Sequence, residues 1–290
     1  MTLPAPVPGT RLDIGGLACW TAGSGPPLVL VHSVNAAASA AEVRPLFEDG
    51  LATHTVYAPD LPGFGSSPRE PREYTPRLMT DAVLAVVRAV RERHGPAPLP
   101  ALAISLGSEF LARAASEQPG WFERIALVSP TGLDGTALRR GAAGSTRQVP
   151  GVLPLVSVPL WSQALFGGLT RPGVVRYFLE RTWGGKAIDE GMWAYDVITT
   201  RQPGAWHAPI SFLTACLFST DINALYEKLV MPVWMSHGVR GDFVDYRGID
   251  TVRGRPNWTF TVFQAGALPH FEAGVPFLAE YERFLAVSRP

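Results

Sequence analysis

Short apolar runs alternate with longer helical stretches through the first half of the chain. Leu28-Val29-Leu30-Val31 follows a turn at Gly23 to Pro27 and is apolar throughout, the mark of a strand buried on both faces. Thr55 to Ala58, Leu99 to Ile104 and Ile125 to Val128 repeat that pattern, and Arg11 to Thr21 reads as strand with turns. Between these runs the period becomes helical. Ala36 to Leu51 has Glu42, Val43, Leu46 and Phe47 near helical spacing. Thr75 to His94 sets Leu78, Ala82, Ala85 and Val86 on one face and collects Arg88, Arg91 and Arg93 before the stop at Gly95-Pro96. Gly107 to Glu117 is a third helix. Strands joined by helices of this length need parallel crossovers, which predicts an α/β fold: a mostly parallel central sheet with helices on both faces.

The alternation stops after Val128. From Asp134 to Leu229 no short β run stands out, and this block holds Trp161, Trp183, Trp193 and Trp206 among many other aromatics. Pro232 to Met235 and Trp258 to Phe263 then restore the strand pattern, and Phe277 to Val287 reads as a closing helix. The expected organisation is a sheet domain, residues 1–133 and 230–290, interrupted by a helical insertion at 134–229. Within the insertion Arg139 to Gly151 is a loop of small residues and Arg. Gln148 to Thr170 carries no charge and is long enough to span a bilayer. Pro150, Pro154 and Pro159 would each remove a backbone donor, and lipid offers no replacement partner. The stretch is therefore read as an apolar lid or buried segment that lines the entrance or the acyl pocket, with Leu153, Leu155, Trp161 and Phe166 among the wall residues.

Composition narrows the classes. The chain has 290 residues, 47% of them hydrophobic, which excludes a disordered protein. Its 25 basic and 25 acidic residues cancel, leaving no electrostatic footprint for nucleic acid or an anionic membrane. Two cysteines, Cys19 and Cys216, cannot make a disulfide framework, and the first residues lack a signal-peptide pattern, so a reducing, cytoplasmic setting is expected. No metal-binding, P-loop or dinucleotide pattern is present in the sequence, so no metal and no cofactor are expected. The expected partner is a small molecule, and the chain is expected to be a monomer or homodimer.

The strongest chemical signal is Ala103-Ile104-Ser105-Leu106-Gly107-Ser108. A serine stands between a buried strand and a helix, with small residues two positions before and after it. That is the tight turn that strains a serine backbone and lifts its hydroxyl out, although an ordinary strand-end serine has the same neighbours. Four further segments accompany it: Val31-His32-Ser33-Val34-Asn35, Asp60-Leu61-Pro62-Gly63-Phe64-Gly65-Ser66-Ser67, Ser236-His237-Gly238 with Asp242, and Leu268-Pro269-His270-Phe271-Glu272.

Over nearly its whole length the chain thereby resembles the α/β-hydrolase superfamily. The resemblance implies that fold with a helical cap at 134–229, and a Ser-Asp-His triad of Ser105, Asp242 and His270. It also implies an oxyanion hole from the Leu106 and Val34 amides, with Ser33 beside the substrate. Two departures stand in the motifs: Ala103 and Ser33 replace the family's glycines. The acid position is shifted, because the family's place falls on Gly241; Asp245 and Asp134 are the other carboxylates weighed. Glu109 reads as a carboxylate favoured near a helix N-terminus, and Glu272 as structural. A serine nucleophile excludes the dehalogenase and epoxide-hydrolase branches, which need a carboxylate. The activity implied is ester hydrolysis of a small, largely apolar substrate through an acyl-enzyme. Carbon–carbon bond hydrolysis, thioester hydrolysis, acyl transfer and lyase or cyclase chemistry use the same triad, and a receptor without turnover uses the same fold.

Overall fold

The computed structural model describes residues 2–135, 137–156 and 158–286, the side chains at 159 and 160 excepted. Strands β1 (Thr10–Ile14), β2 (Leu17–Gly23), β3 (Pro27–Val31), β4 (Thr55–Pro59), β5 (Leu99–Ile104), β6 (Phe122–Val128), β7 (Val233–His237) and β8 (Trp258–Val262) form one sheet in the order β1-β2-β4-β3-β5-β6-β7-β8. β2 is antiparallel to both its neighbours, and all pairs from β4 to β8 are parallel. The expected strand at Arg11 to Thr21 is thus a hairpin. Gly15 and Gly16 turn it with φ of 61° and 85°, a conformation that side chains with a Cβ disfavour.

Helices α1 (Arg44–Gly50), α2 (Pro76–His94) and α3 (Gly107–Glu117) lie among the early strands. Six more fall between β6 and β7 among the described residues: α4 (Val152–Val156), α5 (Pro159–Leu169), α6 (Pro172–Trp183), α7 (Glu190–Thr199), α8 (His207–Leu213) and α9 (Ile222–Lys228). Then come α10 (Asp250–Arg253), α11 (Pro269–Glu272) and α12 (Gly274–Ala286). The expected last residue of the closing helix, Val287, lies outside the described residues. No helix among the described residues is long and apolar enough to cross a membrane.

Alternate strand residues feed two cores. Val29, Val31, Ala101 and Ala103 join α2 and α3 on one face; Leu28, Leu30, Leu102 and Ile104 join α1 and α12 on the other. Each such side chain taken from water is worth roughly 1.5–3 kcal/mol, which is why these runs carry no polar position. α2 starts where Thr75 Oγ1 accepts the Leu78 N–H at 3.1 Å, with Pro76 in its first turn. Its buried stripe is Met79, Val83, Val86, Val87 and Val90, so Leu78 and Ala85 sit at the border rather than the centre. α9 buries Ile222, Leu225 and Tyr226 in the same cluster as α2 and α3, so the end of the inserted block packs as part of the sheet layer.

The helix expected over Ala36 to Leu51 is shorter. A 3-10 turn at Ala40–Val43 leads into α1, and residues 36–39 stay outside it. Asn35 Oδ1 takes the Ala37 N–H at 2.7 Å and Asp60 Oδ1 takes the Ala40 N–H at 2.8 Å. These side-chain acceptors satisfy the backbone without a helix.

Candidate active site

Ser105 occupies the bend between β5 and α3 with φ of 49°, a left-handed conformation costly for a residue with a Cβ. Its own N–H is anchored on the Val128 carbonyl at 2.8 Å, and its carbonyl accepts the Ser108 N–H at 3.0 Å. Ser105 is thus fixed in the turn and partly exposed. Gly107 is required here: a Cβ would stand 2.3 Å from the His32 carbonyl oxygen. The start of α3 therefore lies directly on the segment that follows β3. Ala103, where the family has glycine, is buried in β5 between Val31 and Leu127.

The two candidate oxyanion donors are available. Neither the Leu106 N–H nor the Val34 N–H makes a hydrogen bond within the described residues, and both residues are buried. His32 is structural. Its Nε2 accepts the Leu61 N–H at 2.9 Å, so Nδ1, 2.5 Å from the Ser33 carbonyl, carries the proton. Asp60 is a backbone clamp that accepts the Ala40 and Ser66 N–H groups at 2.8 Å each, and Ser67 donates to its carbonyl at 2.6 Å.

His270 follows Pro269 in the first turn of α11 and is 1% exposed. Its Nε2 lies 2.8 Å from the Glu42 main-chain carbonyl. A carbonyl only accepts, so Nε2 holds the proton and the lone pair is on Nδ1. Nδ1 is buried and has no partner in the described structure. Burial lowers the pKa of the ring to about 4, against the opposing pull of the Glu42 carbonyl, so the imidazole is neutral at pH 7.

The structure does not bring the expected acid to this ring. Asp242 has a side chain 41% exposed, ion-paired with Arg181 of α6. The reason is local. Gly241, at φ of 86°, brings the loop so close to the Arg181 carbonyl that a Cβ would lie 2.4 Å from it, and the Asp242 N–H bonds that same carbonyl at 3.2 Å. Asp245 pairs with Arg247, which holds its carboxyl below the usual range, and Asp134 pairs with Arg139. Asp242→Asn is accordingly expected to lower kcat by less than about threefold, whereas loss of a tautomer-fixing carboxylate costs about 10⁴. A 10²-fold or larger fall in ester turnover would return Asp242 to the triad.

The sequence reading passed over Glu42. It is 1% exposed, accepts the Ser33 N–H on Oε2 at 2.7 Å, and accepts Asn35 Nδ2 on Oε1 at 2.6 Å. Its signal was a lone acid in the apolar run Ala36 to Val43. Asp196 of α7 is a second buried carboxyl. Burial first, then Glu42 and Asp189, raise its pKa well above the ordinary value, and its Oδ1 has no partner in the described structure. The Ser33 hydroxyl accepts from Asn35 Nδ2 at 3.2 Å. Phe166 is buried, but Trp161 is 46% exposed and its indole N–H is spent on the Leu155 carbonyl at 2.8 Å. Leu155 is exposed as well, so these two stand at the surface and not on the wall of an enclosed pocket.

Glu109 stands in the first turn of α3, as expected, and is buried there. It accepts Thr131 Oγ1 at 2.6 Å and the Ser219 N–H at 2.8 Å, and ties α3 to the returning end of the inserted block. Desolvation raises its pKa to about 7 despite those two bonds and the nearby Arg147. Between pH 4.5 and 7 the unfolded chain ionises this group while the folded chain keeps it protonated. Its contribution is therefore complete below the unfolded value and is lost as pH rises through 7, on the order of 3 kcal/mol at about 1.4 kcal/mol per pH unit. Glu109→Gln is expected to flatten the urea-unfolding stability over pH 5–7.5. A variant with the wild-type slope would assign that slope to another group.

No cluster of metal-ligating side chains occurs among the described residues. The sequence model of the alpha/beta hydrolase fold matches residues 26–195. No curated protein matches the chain by sequence. Among solved structures, a probable hydrolytic enzyme from Pseudomonas aeruginosa PAO1 superposes with a TM-score of 0.73 at 19% identity, covering 98% of this chain and 96% of its own. The enol-lactonase from Burkholderia xenovorans LB400 gives 0.70 at 15% identity, covering 96% and 100%. A meta-cleavage product hydrolase from Pseudomonas fluorescens IP01 gives 0.70 at 17% identity, covering 96% and 97%. At these identities the likeness is one of fold.

Proposed function

The chain belongs to the α/β-hydrolase fold family, and we propose that it is a serine hydrolase that cleaves an ester-type bond of a small, largely apolar substrate. The observation that carries this reading is Ser105, held at positive φ between β5 and α3 beside the unbonded Leu106 N–H. In this mechanism the Ser105 Oγ–H gives its proton to neutral His270 as Oγ attacks the carbonyl carbon. The Leu106 and Val34 amides receive the oxyanion, each donor being worth roughly 3 kcal/mol. The C–O bond to the leaving alkoxide breaks as His270 returns the proton, and water repeats the sequence to free the acid. Residues 134–229 act as the cap over the site, with Phe166 among the apolar groups facing substrate.

The test is a fluorophosphonate probe followed by mass spectrometry. Ser105 is expected to carry the label, and p-nitrophenyl esters to be hydrolysed. A protein left unlabelled is a receptor or scaffold, and a label on another residue means a different nucleophile. Solved relatives include an enol-lactonase and a meta-cleavage product hydrolase. A panel of esters, lactones, thioesters and vinylogous diketones therefore decides the bond type.

A further inference from the structure

We infer that Arg11 and Arg69 form a binding site for a phosphate group at the seam between the sheet domain and the inserted helices. The site is a cavity of about 270 Å³ lined by Arg11 of β1, Ser66 and Arg69 of the loop after β4, Gln202 beyond α7, and Thr2. A volume of this order holds one small group rather than a large apolar substrate. Among the described residues no acidic side chain lines it, so two guanidinium groups face it unopposed. Other arginine-bearing cavities are balanced: Arg77 and Arg113 share one with Glu73, and Arg124 and Arg283 share another with Glu123 and Glu280. Neither Arg11 nor Arg69 bonds a carboxylate among the described residues. Buried Arg113 and half-buried Arg44 do, with Asp221 and Asp189 at 2.7 Å each.

The loop holds Arg69 in place. Gly65, at φ of 50°, sits where a Cβ would stand 2.1 Å from the Asp60 carboxyl, and its carbonyl accepts Arg69 Nε at 3.2 Å and Nη2 at 2.7 Å. Nη2 also donates to Thr199 Oγ1 of α7 at 2.9 Å. Nη1 makes no hydrogen bond among the described residues and is left for a ligand. Arg69 is half-buried, and loss of water lowers its pKa against the pull of Asp60. Asp60 does not bond it, because its carboxylate oxygens already take the Ala40 and Ser66 N–H groups and the Trp20 indole N–H. A guanidinium deprived of water without a counter-ion is costly, and a second one on the same cavity adds repulsion. Arg11 Nη2 reaches the Ser66 carbonyl at 3.4 Å, which brings its charge to this loop. An oxyanion between the two relieves both costs. A phosphate monoester carries a charge near −2 and three acceptor oxygens, which suit two guanidinium groups and the Ser66 hydroxyl, itself unbonded among the described residues. The inserted block closes on this loop, a Cβ at Gly204 standing 2.3 Å from the Arg69 carbonyl oxygen. The bound anion therefore joins Gln202 on that block to Arg11 on β1.

The experiment is isothermal titration of the full chain with inorganic phosphate, phenyl phosphate and acetate, at constant ionic strength set with chloride. Saturable one-site binding of a phosphate probe is expected, with Kd at or below about 1 mM. Tighter binding of phenyl phosphate assigns the site to the phosphoryl end of an organic molecule, and equal or tighter binding of inorganic phosphate assigns it to the free ion. Arg11→Gln and Arg69→Gln are each expected to raise Kd at least about tenfold, the loss of a hydrogen bond to a charged group. Arg72→Gln removes the same charge from an exposed position outside the cavity and is expected to leave Kd within about twofold. Arg69 also holds its loop, so if Arg69→Gln does not fold, Arg11→Gln decides, since that side chain makes a single long bond. No saturable phosphate binding, acetate bound as tightly as phosphate, an unchanged Kd in Arg11→Gln, or a loss in Arg72→Gln equal to that in Arg11→Gln overturns the proposal. The readout is binding, so it holds whether or not Ser105 is the nucleophile.

Discussion

Ser105→Ala is expected to lower ester turnover by at least about 10³-fold while leaving the fold intact, because the residual rate comes from the oxyanion donors and binding alone. The turn itself makes a sharper version possible. Ser105 sits at φ of 49°, where every residue with a Cβ is strained, so alanine inherits the strain and glycine relieves it. Ser105→Gly should therefore be as inactive as Ser105→Ala yet more stable, by about 1–2 kcal/mol or roughly 2–4 °C in Tm for a chain of this size. The measurement is a pair of thermal melts beside p-nitrophenyl ester rates. A glycine variant no more stable than the alanine one would mean the bend carries no stored strain. An alanine variant with more than a few per cent of the wild-type rate would mean another nucleophile.

The parts of this molecule that were legible in the sequence are those whose signal is local. Leu28 to Val31 and Leu99 to Ile104 read as doubly buried strands because both faces of the sheet are covered, and they are strands. The small residues around Ser105 predicted the tight turn, and the His32 carbonyl lying against Gly107 is its steric cause. What the sequence did not disclose depends on side chains meeting across distance. Ala36 to Leu51 has helical composition, but acceptors on Asn35 and Asp60 claim its first N–H groups. Asp242 lies one residue from the family's acid position, and a single extra glycine conformation at Gly241 directs it to Arg181. Glu42 looked like one position on a helix; its partners are Ser33 and His270, the latter 228 residues away. Trp161 and Leu155 have the hydropathy of pocket wall, but hydropathy does not say which face of an inserted helix turns outward.

The second large effect lies with His270. His270→Ala should lower kcat/KM by about 10²–10⁴, the usual range for a lost general base, with no compensating fall in KM. The pH profile separates this base from an exposed histidine. Burial lowers the His270 pKa to about 4, so the ring is already neutral and able to accept a proton at pH 5. A lowered pKa means the inactive, protonated form accumulates only below that value. Ester hydrolysis in the wild type is therefore expected to hold its kcat/KM from pH 7 down to pH 5. The same rule bears on stability. Below an ordinary histidine pKa the unfolded chain binds a proton that buried His270 refuses, so this residue favours unfolding as pH falls from 6.5 toward 4. In His270→Ala that acid-side loss should shrink, and the gap between variant and wild-type Tm should narrow or reverse toward pH 5. A kcat/KM limb with its midpoint near pH 6.5 would instead describe an imidazole open to solvent, incompatible with a ring sealed beneath Glu42.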